Sequence, residues 1–107
     1  MTMMNCPPFS ADIYIGGDLA QAKQICRKYC YEKGLCVTVT PVDYIYTGAE
    51  EAGVKVSLIN YARYPSTPNN IALTAFELAS LLLEGLCQHS YSVVTPEESV
   101  FFSRRKD

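Results

Sequence analysis

Between Pro68 and Cys87 the apolar positions recur at three- and four-residue steps: Ile71, Ala75, Leu78, Leu82 and Leu86, with Ala72, Phe76, Ala79 and Leu83 on the adjoining rows. At about 100° per residue those positions share one side, so the period predicts an amphipathic helix. Its apolar arc leaves only Leu73, Glu77, Ser80 and Glu84 facing away, which is wider than a single sheet contact requires; the helix is expected to pack on more than one neighbour. Thr67 and Pro68 supply the cap and the favoured first-turn proline. A second helical period follows Gly17, with Asp18 as N-cap and Gln21 three residues on at the capping-box position. It puts Leu19, Ala22, Cys26, Tyr29 and Cys30 on one face and Lys23, Gln24, Arg27, Lys28 and Tyr31 on the other, and Gly34 suits its left-handed end.

Elsewhere the period is two. Asp12 to Gly16 alternates and predicts a first strand. Leu35 to Thr47 is a long β-rich run broken by Pro41, and Gly48 to Gly53 reads as a polar turn bounded by glycines. Val54, Val56 and Leu58 then alternate with Lys55, Ser57 and Ile59, so the two runs predict a hairpin. Tyr91 to Ser103 is again β-rich and again broken by a proline, Pro96. A weak internal repeat links the halves: Gly34-Leu35-Cys36 precedes Thr40-Pro41 as Gly85-Leu86-Cys87 precedes Thr95-Pro96.

Two βαβ halves in one small domain predict an α+β, ferredoxin-like βαββαβ sandwich, with both helices on one face of a four-stranded antiparallel sheet. In that topology the second and fourth strands are the edges, where a proline is tolerated because it has no N–H to give a ladder. The competing reading makes Thr40-Pro41 and Thr95-Pro96 true turns that split each run into a hairpin. The expected division is an N-terminal arm over 1–10, a single domain over 11–104 and a tail over 105–107.

Composition adds little that changes this picture. The 107 residues are 49% hydrophobic and 19% charged, enough for one packed domain, and a net charge of −2 gives no bulk attraction to nucleic acid. No run approaches a membrane span and the start lacks the order of a signal peptide, so a cytoplasmic location without membrane partner is expected. The five cysteines have no framework spacing and read as free thiols, and with His89 as the sole imidazole neither metal nor any other cofactor is indicated.

Sorting charges by strand direction places Asp18, Glu50, Glu51, Glu84 and His89 at one end. Lys28, Lys33 and Arg63 fall at the other, joined by Arg104, Arg105 and Lys106 if the last strand runs straight. The basic end carries Tyr61, Arg63 and Tyr64 on a loop, residue types common at binding hot spots, and Arg27, Lys28 and Tyr31 on the first helix. These six residues are the expected partner-binding surface. Gly16, Gly17 and Asp18, at the first helix's N-terminus, are the alternative place for a small ligand or nucleotide.

Ile13-Tyr14-Ile15-Gly16-Gly17-Asp18-Leu19 resembles the first-strand signature of the RNA recognition motif, which implies base stacking on sheet aromatics. Its second signature would fall on Val54 to Tyr61, where Lys55 is the only basic residue before the closing tyrosine, so nucleic acid is the lesser expectation. No nucleophile, base and orienting group converge; Cys87 and His89 stand at a helix end whose dipole disfavours a thiolate. The chain as a whole resembles the short accessory proteins of phages and prophages. That likeness implies a non-enzymatic protein-binding module, an inhibitor of a host defence such as CRISPR, acting by occluding a host protein or pairing with a second copy of itself as a homodimer.

Overall fold

The computed structural model describes residues 1–105. Lys106, assigned above to the basic end, lies outside the described residues. The elements run β1 (Ser10–Gly16), α1 (Leu19–Lys33), β2 (Thr38–Tyr46), β3 (Ala49–Ile59), α2 (Pro68–Gly85), β4 (Ser90–Val94) and β5 (Ser99–Ser103). The strands form one sheet in the order β2-β3-β1-β4-β5, and every neighbouring pair is antiparallel. Both helices lie against one face, which gives the two-layer α+β sandwich of ferredoxin-like type with a fifth strand added.

The caps act where the residue types direct. Asp18 accepts from the Gln21 amide at 3.0 Å and Thr67 from the Asn70 amide at 3.1 Å, while Gly34 takes the left-handed conformation at φ 69° that ends α1. The core lies between the layers: Ile13 and Ile15 of β1, Val54 and Val56 of β3 and Val93 of β4 meet Ala75, Leu78 and Leu82 of α2. Leu78 and Leu82 are fully buried, each contributing roughly 1.5–3 kcal/mol of transfer free energy. α1 closes the layer with Ala22, Cys26 and Tyr29, and its Tyr29 hydroxyl donates to Glu77 of α2 at 2.9 Å. A Cβ at Gly85 would meet the tip of the Ile25 side chain of α1, which would have to shift to admit it. The wide apolar arc of α2 is explained: it packs on β1, β4 and α1 together.

Three expectations need correcting. Pro96 is not in an edge strand: β4 ends at Val94, and Thr95 makes a turn in which its hydroxyl accepts from the Glu97 and Glu98 amides, both at 3.2 Å. β5 folds back from that turn and becomes the edge, so the sheet has five strands and the turn reading was correct for this proline. Pro41, by contrast, sits inside β2 opposite Val54, on a strand with β3 as its one neighbour. The Gly17 amide donates to the Ala52 carbonyl at 3.2 Å, which sets the alternation along β3 and turns the Val54 peptide groups toward β1. The Pro41 nitrogen therefore faces outward. Second, Gly48 to Gly53 is not one turn: β2 and β3 pair from Tyr46 opposite Ala49, and only Thr47 and Gly48 (φ 77°) connect them. The longer hairpin carries Glu50 and Glu51 within β3.

Third, the reversal at Thr95 undoes part of the charge sorting. Arg104 returns to the acidic end, where its guanidinium meets Glu84 at 2.8 Å and its amide donates to the His89 carbonyl.

Candidate functional site

Alternation along each strand leaves one face of the sheet without a helix. Register places Tyr14 and Gly16 of β1, Tyr44 and Tyr46 of β2, Glu51 and Gly53 of β3, Ser90 and Ser92 of β4, and Phe101 and Ser103 of β5 on that face. At the end where β1 finishes and β4 begins, this face is hollowed into a cleft of about 510 Å³. Tyr14, Tyr44, Tyr46 and Glu51 border it on one side and Gln88, His89, Phe101 and Arg105 on the other.

Two glycines shape the cleft, Gly16 in its floor and Gly53 beneath the Tyr44 ring. A Cβ at Gly16 would run into the Glu51 carboxylate and would stand 2.9 Å from the Gln88 side-chain oxygen, so both polar groups converge over that bare backbone. A Cβ at Gly53 would stand 2.5 Å from the Tyr44 ring and from the Ile15 carbonyl. Tyr44 uses that space to lie across the strands, its hydroxyl donating to the Val54 carbonyl at 2.7 Å and, more loosely, to the Ile15 carbonyl at 3.4 Å. Burial is the chief cause that pushes the Tyr44 phenol up to about 12, so it stays neutral and hydrogen-bonded at physiological pH. Lys55 stands 5.9 Å from the Tyr14 ring centroid, showing that the aromatic face here attracts a cation. The cleft thus offers tyrosine faces and an exposed carboxylate on one side, and amide, imidazole and guanidinium groups on the other.

Of the residues expected at a ligand site, Gly16 is in the floor of this cleft. Gly17 has φ 130° and packs where a side chain would meet Leu86 at 3.1 Å, and the Asp18 carboxylate is engaged in capping α1. Of the six residues of the expected partner surface, Tyr61, Arg63 and Tyr64 follow β3 at the end of the sheet opposite Gly16. Tyr64 donates its amide to the Tyr61 carbonyl at 3.0 Å, Arg63 stands 5.4 Å from the Tyr64 ring centroid, and the Tyr61 hydroxyl donates to Cys36 Sγ at 3.4 Å. Arg27, Lys28 and Tyr31 line a separate exposed stretch of α1. The residues that the sequence reading did not place at a ligand site are Tyr44, Tyr46, Glu51, Gln88 and Phe101; the β2–β3 register sets the first three, the α2–β4 connection carries Gln88, and the added strand carries Phe101.

Among the described residues no helix is long and apolar enough to cross a membrane, and no group of three or more His, Cys, Asp or Glu residues could hold a metal ion. On β3 the open face carries Lys55 and Ser57 between the buried Val54, Val56 and Leu58, so the strand presents no aromatic ring where the second signature of the RNA recognition motif would place one.

No protein-family model matches the chain, and no curated protein matches it. Solved structures do. The chain is similar to a phage SAM lyase in its apo state, with a TM-score of 0.74 and 16% identity over 92% of this chain and 91% of that one. It is also similar to a phage SAM lyase in complex with S-methyl-5'-thioadenosine, with a TM-score of 0.65 and 15% identity over 96% and 95% of the two chains. The phage origin of both agrees with the general resemblance read from the sequence. The expectation of a non-enzymatic inhibitor acting by occlusion is overturned by the same finding, because these two structures, which share the fold over nearly its whole length, are of SAM lyase, an enzyme.

Proposed function

We propose that the chain is an enzyme that binds S-adenosylmethionine in the open-face cleft and cleaves it to S-methyl-5'-thioadenosine. The observation that carries this reading is a cleft bordered by Tyr14, Tyr44 and Tyr46, with the Glu51 carboxylate over Gly16, on a fold similar to that of a SAM lyase. The substrate has a sulfonium cation, an amino-acid end and an adenine, and the cleft has a counterpart for each kind of group. Tyrosine faces attract a diffuse cation and stack on a base. Glu51 is placed to take the α-ammonium, and His89 and Arg105 border the side that would receive a carboxylate.

The chemistry asks little of the protein. Forming the thioether product breaks the bond between sulfur and the aminobutyryl carbon, and the bonding pair goes to sulfur, which becomes neutral. A lyase adds no water, so the electron-poor carbon is satisfied from within the substrate itself, by its own carboxylate or by loss of a proton. A positively charged sulfur is already activated as a leaving group, so a nucleophile with its base and orienting group is unnecessary. Because the charge on sulfur disappears in the transition state, polarizable rings are better neighbours for it than a tight ion pair, which would hold the ground state more strongly. Closing the cleft to water would have the same sense.

Purified protein incubated with S-adenosylmethionine is expected to release S-methyl-5'-thioadenosine, measured by liquid chromatography. Glu51→Gln is expected to lower kcat/KM at least tenfold, about 1.4 kcal/mol in the transition state, while leaving the fold unchanged. Absence of product, together with no rise in melting temperature on adding S-methyl-5'-thioadenosine, would refute the assignment; a bound ligand at 100 times Kd stabilises by about 2.7 kcal/mol.

A further inference from the structure

Three of the five cysteines gather far from the cleft, where α1 ends and β2 begins. Cys26, Cys30 and Cys36 border one shallow hollow of about 450 Å³, together with Arg27 and Val37. The chain is folded back on itself there. The Gly34 and Leu35 amides both donate to the Cys30 carbonyl, at 2.8 and 3.1 Å, and Cys36 follows as the chain returns past the helix end. The three thiols differ in access: Cys26 is buried at 3% exposure, Cys30 is half-buried and Cys36 is exposed. The Cys36 sulfur accepts a hydrogen bond from the Tyr61 hydroxyl at 3.4 Å.

Geometry selects the pair that can join. Cys26 and Cys30 are one turn apart on α1, where Cβ atoms stand about 5–6 Å from each other, whereas a disulfide needs about 3.5–4.5 Å. Cys30 and Cys36 are not held to that spacing: the chain reverses at Gly34, outside the helix, and brings both residues to the border of the same hollow. We propose that Cys30 and Cys36 form a thiol–disulfide exchange site, in which exposed Cys36 attacks a small-molecule disulfide and Cys30 then closes an intramolecular bridge.

With oxidised glutathione as the reagent, the Cys36 thiolate attacks one sulfur, the reagent's S–S bond breaks and glutathione thiolate leaves. Cys30 then gives its proton to solvent and attacks the Cys36 sulfur, expelling the second glutathione thiolate. Both protein thiols are oxidised and one glutathione disulfide is reduced to its thiols, so electrons balance. The order follows from the surroundings. Exposed Cys36 meets the reagent first, while burial pushes the half-buried Cys30 thiol above its ordinary value, with Cys36 adding to the effect and the Val37 amide opposing it. The bridge would fasten the last turn of α1 to the approach into β2, the strand that carries Tyr44 and Tyr46 to the cleft.

Trypsin puts the three thiols on separate peptides, because Lys23, Arg27, Lys28, Lys33 and Lys55 divide the sequence between and around them. Full-length protein held with oxidised glutathione, then alkylated and digested without reductant, is expected to give a peptide Tyr29 to Lys33 joined to a peptide Gly34 to Lys55. The join should be about 2 Da lighter than the two free peptides, and lost on adding dithiothreitol. Cys36→Ser should abolish the joined peptide, while Cys30→Ser should stop at a glutathione adduct on Cys36. A persistent glutathione adduct on Cys36 in the unmodified sequence, a joined peptide containing Cys26, or no change at either thiol would each overturn the proposal.

Discussion

At the scale of single residues, the cleft is built by what is missing as much as by what is present. Gly16 and Gly53 have no side chains, and the Glu51 carboxylate and the Tyr44 ring occupy the space thereby left. Gly16 could be singled out from the sequence because it precedes a capped helix; Glu51 could not, since it belongs to a distant segment that reads as a solvated turn until the register with Tyr44 is known. Buried titratable groups give the chain a signature in alkali. Cys26 is pushed up to about 11, chiefly by burial, from an ordinary value of 9.0. An unfolded chain loses that proton near pH 9 while the folded one keeps it to about pH 11. Its stabilising contribution is therefore complete below pH 9 and is lost as the pH rises through 11. The melting temperature is expected to fall over that window, and Cys26→Ala should flatten the fall between pH 9 and 10, as followed by circular dichroism. An unchanged slope would mean that another group controls it.

At the scale of elements, the helices were legible and the strand ends were not. Both helices carry their own boundary residues, Asp18 and Gly34 for one, Thr67 and Pro68 for the other, because capping is decided within a few neighbouring residues. Whether a proline lies within a strand or between two depends on partners distant in sequence. Pro41 and Pro96 sit in nearly the same Thr-Pro setting, yet one is opposite Val54 and the other follows a threonine that closes a turn. The internal repeat pointed to the shared order of elements and concealed that difference. Asp18 provides a test of its assignment as a cap and not a ligand group. Asp18→Ala should lower stability by about 1 kcal/mol in urea unfolding, with Asp18→Asn recovering most of it. Neither change should reduce the affinity for S-methyl-5'-thioadenosine; a loss of affinity in both would move Asp18 into the cleft's chemistry.

At the scale of the whole molecule, the long β2–β3 hairpin decides the outline. The Cα radius of gyration is 14.5 Å and the extents are 52 × 28 × 22 Å, against about 13 Å for a compact chain of this length. The excess lies in strands that run past the helices, where Ile45 and Tyr46 are exposed at 77% and 57%. Such a sheet has two open borders, β2 and β5, and an open border with apolar residues invites copies of itself to stack alongside. Along β2 that invitation is refused in the middle, because the outward-facing nitrogen of Pro41 has no hydrogen to offer. A strand from another molecule could zip only partway before meeting a gap. Pro41→Val should fill the gap and raise concentration-dependent light scattering well above that of the native sequence; equal scattering would mean that some other feature guards this border. The same residue that reads in the sequence as an interruption of a strand thus leaves a gap in the hydrogen-bonding border of a long, partly apolar ribbon.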